Sequence, residues 1–294
     1  MATAEHHIQT EPLFPAATVY GASPFWHARS GLWIWLDMED RRLMAFHPAD
    51  GARHSWILPS KPGACGPCGS GDILLVLEDG CYTFDLEFGA LDPFLSLERY
   101  QEIHYFSAGR LDRQGRFWCT AAHQRHRLLP GRLYRLHPDG NVCLEVETLD
   151  ECRGLDWSPD GRFGYLANVP RRTVDRMEID RESGAITAIT PWVALPKKEG
   201  IPAGIQVSAD GDVWICHYGG GRISRWSPEG KRKEDWIFPV RGITGCALGG
   251  KERRQWLVTS AVWEGETGGH ALDGSVWLMD LPGARGVVPG EFVG

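Results

Sequence analysis

The sequence predicts an all-β fold, a six-bladed β-propeller of four-stranded antiparallel blades, and two observations carry that prediction. The first is a phrase that returns along the chain. Arg153-Gly154-Leu155-Asp156-Trp157-Ser158-Pro159-Asp160-Gly161-Arg162 is echoed by Ala203-Gly204-Ile205-Gln206-Val207-Ser208-Ala209-Asp210-Gly211-Asp212. A looser copy begins at Ser107 and a fourth at Ala22. The starts at 107, 153 and 203 lie 46 and 50 residues apart, and the gap of 85 between 22 and 107 suits two units. Repeats of about 40–50 residues built from short strands are the signature of propeller blades. The second observation is composition: 36 glycines and 13 tryptophans suit many short, aromatic-rich strands joined by tight turns.

Each unit has the same internal order. A short lead strand ends in an Asp-Gly or Ser-Gly turn, an apolar second strand follows, then a third strand, a hairpin turn and a variable fourth strand. Lead strands are expected to begin near Ala22, Gly63, Ser107, Arg153, Ala203 and Gly245. Val213–Tyr218 reads as a second strand, and Arg222–Trp226, Arg42–Phe46 and residues 132–136 read as third strands. Their turns, such as His47-Pro48-Ala49-Asp50-Gly51 and His137-Pro138-Asp139-Gly140, end in glycine because the turn needs a positive φ that a Cβ opposes. The last repeat is short, so residues 17–20 are expected to close the ring. Residues 1–16 are then a flexible extension of a single domain spanning 1–294. Residues 125–130, where basic and polar residues interrupt the strand pattern, read as an exposed loop.

Bulk properties narrow the function. A net charge of −7 argues against a nucleic-acid backbone as partner. Apolar runs such as Ile73–Leu77 are strand-sized and too short to span a bilayer. The N-terminus has neither a basic start nor an apolar core, so the expected location is the cytoplasm and the eight cysteines are expected to be thiols. The remaining partner class is a small-molecule substrate or ligand in the axial channel.

The motifs Gly-Leu-Asp-Trp-Ser-Pro-Asp-Gly-Arg at 154–162, Ala-Gly-Ile-Gln-Val-Ser-Ala-Asp-Gly-Asp-Val-Trp at 203–214 and Tyr-Gly-Gly-Gly-Arg-Ile at 218–223 resemble the senescence-marker-protein/gluconolactonase/luciferin-regenerating-enzyme family. Gly31-Leu32-Trp33-Ile34-Trp35-Leu36-Asp37 and Thr244-Gly245-Cys246-Ala247-Leu248-Gly249-Gly250 resemble its first and last blades. The resemblance implies a six-bladed propeller that hydrolyses lactones with one divalent ion in the channel. It also implies four metal ligands, a Glu, two Asn and an Asp, on the lead strands. The corresponding positions here are Ala22, Ser107, Arg153 and Ala203. Hard divalent ions need several oxygen ligands, some of them anionic. The expectation is therefore no metal ligand, no cofactor and a metal-independent, diverged lactonase acting on a small lactone, ester or carboxylate-bearing substrate. The alternative is a ligand-binding or scaffold propeller that has lost turnover.

Arg153 is the expected oxyanion or carboxylate binder, since a fixed guanidinium offers paired donors. Its competing reading is that the side chain folds back onto a backbone carbonyl or an acidic neighbour such as Asp156 or Glu151. His104, Tyr105, Ser107 and His217 are the candidates for handling protons. Ala22, Cys65, Ala203, Gln206 and Cys246 on the lead strands, with Tyr218, are expected to line the substrate pocket. Cys65-Gly66-Pro67-Cys68 spells a redox motif, but no helix follows it, and a lead strand explains it better.

Overall fold

A computed structural model describes residues 3–96, 104–123, 129–263, 269–288 and 290–293. The loop expected over 125–130 lies largely outside them. The fold is a six-bladed propeller. Its lead strands are Gly21–His27, Pro62–Pro67, His104–Leu111, Cys152–Trp157, Ile201–Val207 and Ile243–Gly249, for blades 1 to 6. Each lead strand packs on those of the neighbouring blades, and the sixth returns to the first, which closes the ring. Within each blade the strands follow chain order from the axis outwards and pair antiparallel.

The turns explain the repeated phrase. Ser158 Oγ bonds Asp160 Oδ1 at 2.7 Å and accepts from the Phe163 amide at 2.9 Å, while Gly161 takes φ +70°. Ser208 and Asp210 repeat the contact at 2.5 Å, with Gly211 at φ +87°. The side chain thus satisfies turn amides that no ladder reaches, and only glycine adopts the left-handed corner without strain.

The core lies between blades. Trp118 of blade 3 meets Trp157 of blade 4 with ring centroids 5.0 Å apart, and Trp214 of blade 5 meets Trp256 of blade 6 at 5.2 Å. All four rings are buried, and each such burial contributes roughly 1.5–3 kcal/mol. Second strands are covered on both faces, which is why Ile73–Leu77 and residues 213–217 are continuously buried rather than alternating.

Two blades depart from four strands. Blade 6 has Ile243–Gly249, Gln255–Ser260 and Val276–Asp280, and its outer position is met by a single antiparallel bridge from Phe14 to Val276. Thr18 bonds the carbonyls of Ser260 and Gly274, and Tyr20 bridges Ala261, so residues 14–20 clasp the last blade to the first. Within the stretch expected as an extension, Ala4–His7 pair in parallel with Arg232–Ile237 as a fifth strand of blade 5. His6 stacks on Trp236 there at 4.5 Å. Among the described residues no helix is long and apolar enough to cross a membrane.

Candidate active site

Every lead strand is bulged near its start. The register shifts fall at Ser23–Pro24, Gly63, Ser107, Arg153–Gly154, Ala203–Gly204 and Thr244. A bulge inserts a residue without a ladder partner and re-aims its side chain, and here five of the six insertions line one axial space, while Gly63 packs on Phe106. The blades approach closely at that level. A Cβ on Gly154 would lie 2.1 Å from the Ala203 carbonyl oxygen, so only glycine fits.

Above the bulges the channel opens into a basin of about 620 Å³, lined by Tyr20, Tyr105, Ser107, Arg153 and Tyr218 among others. Arg153 dominates it. Nε donates to Glu151 Oε1 at 2.9 Å, and Glu151 is buried while Arg153 keeps 16% of its side chain exposed. Glu151 immediately precedes the lead strand, so the carboxylate sits at its entrance two residues from Arg153. The terminal nitrogens of Arg153 make no hydrogen bond among the described residues. Its Cζ lies 5.8 Å from the Tyr218 ring centre. Burial opposes the guanidinium charge, but Tyr20, the Glu151 carboxylate and Tyr105 outweigh it and hold Arg153 charged, above its ordinary range. Glu39 and Lys61, paired at 2.6 Å, form the rim.

The structure gathers some of the expected residues and scatters others. Tyr105, Ser107, Arg153 and Tyr218 line the basin, while Ala22 and Cys246 lie on the axis just below it. The Ser107 hydroxyl is turned to the Cys152 carbonyl at 2.8 Å and to Thr120 Oγ1 at 3.0 Å, so it joins blades 3 and 4. Ala203 is buried, its carbonyl oxygen packed against Gly154. The backbone of His104 pairs with His123, and its side chain lies outside the described part of the structure.

His217 does not belong to the channel. It is fully buried, with Nδ1 3.0 Å from the Glu199 carbonyl and Nε2 2.7 Å from Ser224 Oγ. The physical reason is radial: a second strand lies one position outside the lead strand, and Gly200 and Glu199 cover its end. Burial holds its imidazole neutral, with a pKa lowered to about 3. Cys65 and Gln206 line a different cavity at the other end of the axis. Burial pushes the Cys65 thiol well above its ordinary range and Cys68 up to about 12. The two thiols pack into separate apolar clusters, against Leu75 and Leu74 respectively.

Residues not singled out from the sequence complete the channel. Tyr20 lines the basin, and Arg110 crosses the axis below it, donating Nη2 to Gln206 Oε1 at 2.7 Å and Nη1 to the Pro24 carbonyl at 3.2 Å. Asp156, a possible partner for Arg153 in the sequence, faces Arg110 instead at 3.6 Å. Arg110 occupies the strand position three after the bulged Ser107, and that offset was the available signal. Among the described residues, no three His, Cys, Asp or Glu side chains gather closely enough to hold a metal ion.

This geometry defines a propeller with a cationic, tyrosine-lined axial basin. The family described as SMP-30/gluconolactonase/LRE-like region matches residues 20–262, and the chain belongs to that family. It is 26% identical over 286 residues to regucalcin of Xenopus laevis, covering 93% of this chain and 95% of that one. It is 27% identical over 244 residues to the 6-deoxy-6-sulfogluconolactonase of Pseudomonas putida, covering 83% and 84%. A solved structure of a calcium-binding protein, regucalcin, from Agrobacterium tumefaciens superposes with a TM-score of 0.91 at 21% identity, covering 99% of each chain.

Proposed function

We propose that the protein hydrolyses a small lactone or related ester in the Arg153 basin without a divalent ion at the axis. The observation that carries this reading is the Arg153 guanidinium, anchored through Nε to Glu151 with its terminal nitrogens left for a ligand. A lactone carbonyl becomes an oxyanion when water adds to its carbon. Fixed N–H donors at that oxygen lower the barrier because the charge develops where they already point. Cleavage of the ring C–O bond then passes the proton to the leaving alkoxide and yields a hydroxy acid. Its carboxylate suits the same two donors. Of the proton-handling candidates, Tyr105 lines this basin, whereas the Ser107 hydroxyl is engaged between blades 3 and 4. The relative named a gluconolactonase supports the reaction class.

The residues at the implied ligand positions do not fit a hard cation. Ala22 and Ala203 bring no donor atom, the Ser107 hydroxyl is engaged, and Arg153 brings a positive charge. At ~4 Å each pair of unit charges repels by about 4 kcal/mol at an effective dielectric near 20.

A panel of sugar and aliphatic lactones, assayed with and without chelator, tests the reading. Turnover that survives chelation and collapses in Arg153→Ala is expected. Binding without turnover across the panel, or turnover abolished by chelator, overturns it.

A further inference from the structure

A second, smaller cavity lies at the opposite end of the axis, with a volume of about 170 Å³. Arg110 stands in the wall of both this cavity and the axial space beneath Arg153, so it partitions the channel. The walls are apolar, built from Phe25, Trp26, Leu111, Leu248 and Val287. The charged groups are all cationic, Arg110, Arg113, Lys251 and Arg253, with neutral Gln206 beside them and no Asp or Glu among the described lining residues.

The charges beneath do not cancel. Arg110 and Arg113 share one buried carboxylate, Asp156, at 3.6 and 3.8 Å. Asp156 is itself saturated by the amides of Trp157 and Val207 and by Gln206 Nε2. The buried Asp112 also attracts Arg113 but is paired with Arg116 at 2.6 Å, so the two guanidinium groups still leave a positive floor, and Lys251 and Arg253 add to it. Arg113 is fixed by donating Nε and Nη2 to the carbonyls of Ser158 and Trp157, which leaves Nη1 without a hydrogen bond among the described residues. A rigid donor, an unbalanced positive charge and aromatic and aliphatic walls together specify one kind of ligand.

We propose that this lower cavity binds a small amphipathic carboxylate, with its head group on Arg113 and Arg110 and its hydrocarbon or aromatic body against Trp26, Leu111 and Leu248. The site is independent of the Arg153 basin and of whatever reaction occurs there.

Calorimetric titration of the full chain with octanoate, 1-octanol and octylamine tests it. Octanoate is expected to bind, 1-octanol about tenfold more weakly, and octylamine not measurably at roughly 1 mM. Lys251→Glu, at an exposed side chain with no hydrogen bond among the described residues, is expected to weaken octanoate roughly threefold to tenfold. Arg113→Met is expected to abolish binding; if that variant fails to fold, Lys251→Glu decides. Arg153→Ala must leave octanoate binding unchanged. No binding of octanoate, equal binding of 1-octanol, an unaffected Lys251→Glu, or loss of binding in Arg153→Ala each overturns the proposal.

Discussion

Arg110 of blade 3 donates to Gln206 of blade 5 across the propeller axis, Nη2 to Oε1 at 2.7 Å. Gln206 returns a hydrogen bond to Asp156 of blade 4 at 3.0 Å and accepts one from the Leu248 amide of blade 6 at 3.3 Å. Arg110 also reaches the Pro24 carbonyl of blade 1. Five blades are therefore tied by one polar cluster where no strand ladder runs between them. A buried network of this kind stabilises when every member is paired and costs heavily when one is removed.

That asymmetry gives the first prediction. Asp156→Ala leaves Arg110 and Arg113 without their shared carboxylate and is expected to lose roughly 3–5 kcal/mol. Gln206→Leu removes one side-chain partner from each of Arg110, the Leu248 amide, Asp156 and the Val207 carbonyl, of which Arg110 and Asp156 keep others, and is expected to lose less, about 1–3 kcal/mol. Urea unfolding at neutral pH measures both. A midpoint for Asp156→Ala equal to that of the parent protein would show that the cluster does not hold the blades.

The second prediction separates holding Arg153 from carrying its charge. Glu151→Gln keeps an acceptor for Nε but removes the neighbouring negative charge, whereas Glu151→Leu removes both. With Gln, a simple carboxylate such as acetate should inhibit lactone turnover more strongly than in the parent, because the guanidinium field is less compensated. With Leu, kcat/KM should fall about tenfold or more as the guanidinium loses its anchor. Identical acetate inhibition in the parent and Glu151→Gln would remove Glu151 from the site's electrostatics.

How much of this was legible in the sequence depends on range. The turn at Ser158, Asp160 and Gly161 is closed by its own neighbours, so its motif announces it. The lead strands follow from those turns, and with them the placement of Arg153 and Ser107 on the axis. The Arg110–Gln206 contact joins residues 96 positions apart, and no local pattern encodes it. His217 was a candidate because a histidine titrates near neutral pH and this one ends a second strand beside Tyr218. Which strand is innermost is set by the order of pairing, not by composition. Ala4–His7 has exposed side chains throughout, so no alternation marked it as a strand.

The third prediction concerns divalent ions. A ligand that binds only the folded state stabilises by about 2.7 kcal/mol at one hundred times its dissociation constant. Alanine at 22 and 203, an engaged Ser107 and a charged Arg153 give calcium no comparable purchase on the axis. Thermal unfolding with millimolar calcium or zinc should therefore show no rise in Tm, and dialysed protein should hold less than one equivalent of metal. A Tm rise that Ala22→Glu enhances and chelator reverses would mean that the axis still accepts a cation.

The last prediction follows from His217. In the unfolded chain its imidazole takes a proton near its ordinary pKa of 6.5, but in the fold burial lowers that value to about 3. Above pH 6.5 both states are neutral and the residue contributes no pH dependence. Between about pH 6.5 and 3 the unfolded state binds a proton that the folded state refuses. Stability then falls as pH falls, by at most about 1.4 kcal/mol per pH unit. His217→Gln keeps hydrogen-bonding capacity toward Ser224 Oγ and the Glu199 carbonyl but cannot titrate. It is expected to be less stable than the parent at pH 7.5, since the amide does not reproduce the ring's packing. Its stability should also decline less steeply between pH 6.5 and 4. Parallel urea titrations of the two proteins across that range make the comparison, and equal slopes would show that His217 is protonated as readily inside the fold as outside it.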